Sequence, residues 1–231
     1  MTTITLSDYE LMKIQVETLY VLDDRERIAA INEPLDMQPP AVFIGKTKEG
    51  LVIRFRRDLP QKLIEEILSC TEASLDVVQL CRVIESYKKV TDIWMGPAYV
   101  FRWDDVPPVA EPNILLIGES NRHLLKKNFS ILHEELSEHL PAAGYVADGE
   151  VVSICCSARI SGRAAEASLK TVEAFRGQGL APLVVQSWCR QVSRQGLIPL
   201  YSTSWDNLSS QAVARKLGLH QYGMDLSIST G

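Results

Sequence analysis

No stretch of this 231-residue chain approaches the length of a membrane span, and Met1-Thr2-Thr3-Ile4-Thr5 lacks the basic region and long apolar run of a signal peptide. A cytoplasmic protein with no membrane partner is the expectation. Net positive charge is missing too. A formal charge of −5 argues against nonspecific nucleic-acid binding, which depends on phosphate neutralisation. It does not bar a small anionic ligand, because N–H groups at a helix end can hold one locally. There is no CxxC pair, and the five cysteines (Cys70, Cys81, Cys155, Cys156 and Cys189) are odd in number, three of them in strongly apolar contexts. Buried, reduced thiols are expected rather than disulfides. His133 and His139 frame His-Glu-Glu-Leu-Ser-Glu-His, which is not HExxH, and a gap of six sets them on different helix faces, so no metal is expected. Internal repeats and low-complexity tracts are absent as well.

With 46% of its residues apolar, the chain can bury a sizeable core, as one large domain or two small ones. Residues 8–31 suit one or two helices, the first capped by Ser7 or Asp8. Residues 41–45 and 51–55 flank a Lys-Glu-Gly turn and predict a hairpin ending in a basic cluster, Arg54, Arg56 and Arg57, read as solvated. Helices follow from Pro60 to Leu68 and from about Ser74 to Lys88, then a short strand over Tyr99-Val100-Phe101. The acidic, proline-rich run from Asp104 to Pro112 is the expected boundary, dividing an N-terminal α/β subdomain (1–110) from a C-terminal domain (111–231). Beyond it, Ser120 predicts the cap of a long helix carrying Leu125, Phe129, Leu132, Leu136 and Leu140 in one stripe. Asp148-Gly149 joins residues 145–147 to 151–160 as a tight hairpin, and Ser161-Gly162 turns the chain into a strand over 164–172.

The densest signal comes next. Arg176-Gly177-Gln178-Gly179-Leu180-Ala181 is a glycine-containing turn between a strand-like and a helix-like run, a geometry that aims backbone N–H groups and a helix dipole at one spot. It lacks the Gly-Lys-Ser/Thr of a nucleotide P-loop and, with Pro182 after Ala181, the third glycine of a dinucleotide fingerprint. After it come a helix, a strand from Ile198 to Ser204, Asn207, a second helix and Lys216-Leu217-Gly218-Leu219. In this order and spacing, residues 141–228 resemble the GCN5-related N-acetyltransferase (GNAT) family, with some likeness to its glycine N-acyltransferase-like branch.

The resemblance implies a GNAT fold: a central mixed, mostly antiparallel, splayed sheet flanked by helices, the N-terminal half standing as a degenerate second copy or as a separate α/β subdomain. It implies an acetyl-CoA-dependent N-acetyltransferase acting by direct transfer on a small-molecule or peptide amine, with a homodimer left open. By position it sets the pyrophosphate on residues Arg176, Gly177, Gln178, Gly179, Leu180 and Ala181, the pantetheine along Thr171, Val172 and Glu173, and a cofactor contact on Asn207. Asn207 serves equally well as a helix N-cap, and Leu183, Val185, Trp188 and Val192 read as the core face of their helix. Glu166 stands where some members carry a catalytic base; as a residue alone it reads equally as a solvated strand carboxylate. The family's proton-donating Tyr is replaced by Ala214, leaving Tyr201 or water as the substitute, unless Tyr201 simply packs in the sheet. Cys155 and Cys156 read as core, no His lying in the matching motifs. A non-catalytic acyl-CoA sensor is the alternative the missing Tyr leaves open.

Overall fold

The computed structural model describes residues 6–33, 37–71, 75–101 and 109–231, which form two compact units, one of residues 98–221 and one of 6–97 with 222–231. The boundary expected at 110 therefore lies inside the first unit, the last strand of the chain belongs with the second, and most of the run from Asp104 to Pro112 lies outside the described residues.

In the unit of residues 6–97 and 222–231, helix α1 (Asp8–Leu19) opens on a capping box: Glu10 N–H donates to Ser7 Oγ at 3.1 Å and Ser7 N–H to the Glu10 carboxylate at 2.9 Å. Of the one or two helices expected over residues 8–31, one forms, and the rest of the segment is a hairpin, β1 (Tyr20–Leu22) and β2 (Ile28–Ile31). Asp23 turns it, its Oδ1 accepting from the N–H groups of Arg25 and Arg27 at 2.9 and 3.0 Å. Strands β3 (Val42–Lys46) and β4 (Leu51–Phe55) form the expected hairpin, followed by α2 (Gln61–Thr71), α3 (Val77–Glu85) and β5 (Val90–Val100), far longer than the short strand the sequence suggested. The last strand of the chain, β11 (His220–Thr230), pairs antiparallel with β3. Arg56 is not solvated: it is buried and donates to Pro39 O and Thr230 Oγ1, both at 3.1 Å, with Asp58 at 2.7 Å supplying its counter-charge.

The unit of residues 98–221 holds the site. Its sheet runs from the end of β5 through β10 (Ile198–Ser202), β9 (Ala164–Thr171), β8 (Glu150–Ile160) and β7 (Ala142–Ala147) to β6 (Ile114–Ile117). All neighbours are antiparallel except β9 and β10, so the sheet is mixed and mostly antiparallel. Asp148 (φ 51°) and Gly149 (φ 76°) make the tight turn of the β7–β8 hairpin. Helices α5 (Leu180–Arg194) and α6 (Leu208–Lys216) cover one face, over a core of Val184, Val185, Trp188, Cys189, Val192 and Val213. Each such aliphatic side chain is worth roughly 1.5–3 kcal/mol when fully buried. Leu183 lies off this face, with Val184 and Cys189 in its place.

The long helix expected from Ser120 is broken into 3-10 turns over Glu119–Leu125 and Leu136–His139 around a short α4 (Ser130–Glu134). Two asparagines explain the break. Asn121 accepts from Gly118 N–H and donates to Leu116 O, and Asn128 donates to Val151 O at 3.0 Å, pulling the chain onto β8. The leucine stripe still does its expected work, Leu125 and Leu136 being fully buried beneath this segment with Ile154 and Cys156. Among the described residues no helix is long and apolar enough to cross a membrane.

Candidate active site

The chain leaves β9 at Val172, whose N–H still bonds to Val152 O at 2.8 Å. One 3-10 turn, Glu173–Phe175, then leads into the loop, with Arg176 N–H closing on Glu173 O at 3.1 Å. Gly177 and Gly179 both lie in the left-handed region, at φ 77° and 80°, which only glycine enters without penalty. A Cβ built on either meets nothing within 4 Å, so the space beside them is open. Gly179 is the N-cap of α5 and has no side chain to cap it. Among the described residues, the N–H groups of Gly177 through Ala181 donate to no protein acceptor. Pro182 follows with no N–H to satisfy. A run of free donors at the positive end of a 15-residue helix is what a pyrophosphate requires. Two side chains brace the loop from behind: Arg176 Nε donates to Thr171 O at 3.4 Å and Gln178 Nε2 to Ala174 O at 3.2 Å.

Beside the loop the sheet opens. Strands β9 and β10 are in parallel register only from Ala164 to Glu166 and from Ile198 to Leu200; β9 then runs on to Thr171 without β10. Because Val172 N–H reaches Val152 O, Thr171 opposite Ser153 is a non-hydrogen-bonded pair with β8, and its own N–H and carbonyl point towards the gap. Of the residues expected to line pantetheine, Thr171 turns its N–H to the gap while its carbonyl accepts from Arg176 Nε, Glu173 N–H has no protein acceptor among the described residues, and Val172 has spent its own on β8.

Glu166 sits where the two strands part. Its Oε1 accepts both the N–H and the hydroxyl of Ser202, each at 2.7 Å, so the side chain takes the donor the parallel ladder would have used next. Its Oε2 is buried and, among the described residues, without a hydrogen-bond partner. The residue is only 4% exposed, which excludes the solvated carboxylate. Burial pushes its pKa up, against the lowering effect of the two Ser202 bonds and the positive charge of Arg159.

Tyr201, one residue before Ser202, faces the other way. It is buried in the α5–α6 core beside Tyr99, and its hydroxyl bonds to Ser210 Oγ and to Ser210 O at 3.3 Å. Burial pushes the phenol further up from its ordinary range, against the Ser210 bond. Ala214 lies one turn beyond Ser210 on α6 and is buried in the same cluster. Asn207 caps α6, its Oδ1 accepting from Ser210 N–H at 3.0 Å and Ser209 Oγ at 2.8 Å. Asn207→Ala is expected to lower stability by about 1 kcal/mol, the usual worth of such a cap, read as a shift in urea midpoint.

Cys155 is fully buried in the same core and burial pushes its thiol well up; the neighbouring Cys156 is pushed up to about 11 by burial. Neither holds a thiolate at neutral pH. His139 Nδ1 bonds to Ser157 O at 2.9 Å and His133 Nδ1 to Glu134 at 2.9 Å; among the described residues no three His, Cys, Asp or Glu side chains cluster as a metal site. Sequence reasoning missed Ser202 and Ser210. Strand alternation could have put Ser202 on the face of Glu166, but nothing in the sequence announces the register that brings them together.

A strand pair that parts beside a helix N-terminus with free N–H groups can seat a phosphate-bearing ligand. Residues 120–224 match the family described as GNAT acetyltransferase. The fold is similar to that of a GNAT-family protein from Novosphingobium aromaticivorans (17% identity over 62% of this chain and 68% of that one, TM-score 0.52). It is also similar to a GCN5-related N-acetyltransferase-like protein from Streptococcus suis (17% identity, 84% and 86%, TM-score 0.51) and a GCN5-related N-acetyltransferase from Kribbella flavida (11% identity, 98% and 96%, TM-score 0.51). No curated protein matches the chain significantly. The likeness to the glycine N-acyltransferase-like branch rests on the sequence resemblance alone.

Proposed function

We propose that the protein transfers an acetyl group from acetyl-CoA directly to the amine of a small-molecule or peptide acceptor. The observation that carries this reading is the opening between β9 and β10 beside the free N–H groups of Gly177 to Ala181. In it, those N–H groups hold the pyrophosphate, the main chain of Thr171 and Glu173 pairs with the pantetheine arm, and the Asn207 amide, whose Oδ1 is committed to the cap, offers its Nδ2 to the cofactor. The thioester carbonyl is then presented to the face that bears Glu166. The amine's lone pair bonds to the carbonyl carbon, its proton passes to the Glu166 carboxylate directly or through water, and the C–S bond breaks with its electron pair on sulfur. The thiolate takes a proton from water to give CoA, and Glu166 returns its proton to the hydroxide that remains.

Tyr201 donates no proton in this scheme, because its hydroxyl is held on Ser210. A phenol pushed above its ordinary range, with its hydroxyl held on Ser210, is a weak acid towards a thiolate that already leaves readily at neutral pH. Tyr201→Phe is expected to leave turnover within about 3-fold of wild type and to lose only the ~1 kcal/mol of one hydrogen bond, read by steady-state kinetics and urea denaturation.

Thiol release from acetyl-CoA, measured against polyamines, aminoglycosides, amino acids and peptide N-termini, tests the reading. Release that depends on one of these amines supports it. Tight CoA binding with no release for any amine favours a non-catalytic acyl-CoA sensor instead, the reading that the Ala214 replacement supports.

A further inference from the structure

The contact between Glu166 and Ser202 does more than close a gap in the sheet. Buried carboxylate oxygens are almost always hydrogen-bonded, and leaving one without a partner costs roughly 1–3 kcal/mol. Here the two oxygens of one carboxylate are treated in opposite ways. Oε1 receives two short bonds from a single residue, and Oε2 receives none from the described residues. The asymmetry has a consequence for proton transfer. Both Ser202 donors occupy the lone pairs of Oε1, so a proton arriving at this side chain is taken up by Oε2.

We infer that Ser202 is the positioning residue of the acyl-transfer site: its N–H and hydroxyl clamp Glu166 Oε1 and leave Oε2 as the atom that receives the amine proton. This rests on the reading of Glu166 as the base. The N–H half of the clamp is available because β9 and β10 separate after Leu200, so the splay that admits the cofactor also frees the donor that orients the base. Among the described residues, the charged and titratable groups that act on Glu166 are Arg159, Cys155 and Tyr201. Arg159 on β8 lowers its proton affinity, and Cys155 on β8 and Tyr201 on β10 are neutral at working pH. The Ser202 hydroxyl is therefore the neighbour whose loss should move the protonation of Glu166 most cleanly.

The test is the pH dependence of kcat/KM for one fixed amine, in wild type, Ser202→Ala, Ser202→Thr and Glu166→Gln, with CoA affinity by calorimetry in each. Ser202→Ala is expected to shift the acid limb upward and to lower turnover at neutral pH by about 10-fold, with CoA affinity unchanged. Ser202→Thr, which keeps the hydroxyl, should restore the wild-type limb. A merely structural serine would not move the limb in this way. If the alanine variant does not fold, Ser202→Cys, similar in shape but a weak donor, carries the same expectation. An unshifted limb in a folded Ser202 variant, alongside a large loss in Glu166→Gln, overturns the positioning role and leaves the base in place. Wild-type activity in Glu166→Gln overturns the base and this inference together.

Discussion

Glu166→Gln is expected to lower turnover about 10²-fold while leaving CoA affinity unchanged, because a general base acts on the amine and not on the cofactor. Glutamine is nearly isosteric and keeps an oxygen for the two Ser202 donors, so the strand junction should survive the change. What it loses is the basic oxygen. The pH profile carries the sign of the effect. Burial holds the carboxyl above the ordinary carboxylate range, so as pH falls through that raised value Glu166 takes up a proton and the rate falls with it. The wild-type acid limb should therefore lie higher than that of a solvated carboxylate, and the glutamine variant should lack it. Full activity with the same profile would make Glu166 a wedge that only holds β10 away from β9.

Gly179→Val should weaken CoA binding by at least ~2 kcal/mol, about 30-fold in Kd, the scale of losing charge-assisted hydrogen bonds to a phosphate. Two effects act in the same direction. At φ 80° a β-branched residue is strained, so the turn that aims the N–H groups relaxes away from its shape. The new side chain also enters the open space in which the added Cβ meets no protein atom within 4 Å, which is the space assigned to the pyrophosphate. That same openness means the substitution creates no clash with the core, and the variant should remain folded by circular dichroism. Unchanged CoA affinity in calorimetry of the folded variant would remove the loop from the binding site.

How far these residues could be read from sequence differs by their reach along the chain. The loop was legible because its physics is local: two glycines, a proline with no N–H to lose, and a helix all fall within a few residues. The β7–β8 hairpin was legible for the same reason, through Asp148-Gly149. The segment after Ser120 misled because a stripe of leucines at gaps of three and four is compatible with a packed series of turns, and the asparagine bonds that break the helix reach as far as Val151. Residues 20–31 misled in the opposite direction, since short apolar runs do not distinguish helix from strand. Tyr201 and Ser202 show the limit most clearly. Their sequence neighbours are the same, yet strand alternation sends one hydroxyl to Ser210 in the helical core and the other to Glu166, 36 residues away. Only the register of β9 against β10 decides which of them meets the carboxylate.

The central claim is that one opening in the sheet both seats acetyl-CoA and bears the base. A crystal structure with acetyl-CoA bound tests it most directly. The account predicts the pyrophosphate on the N–H groups of Gly177 to Ala181, the pantetheine arm against the main chain of Thr171, and the thioester on the side of the sheet to which Glu166 Oε2 is turned. A cofactor bound away from the loop, or a thioester on the opposite face from Glu166, would contradict it.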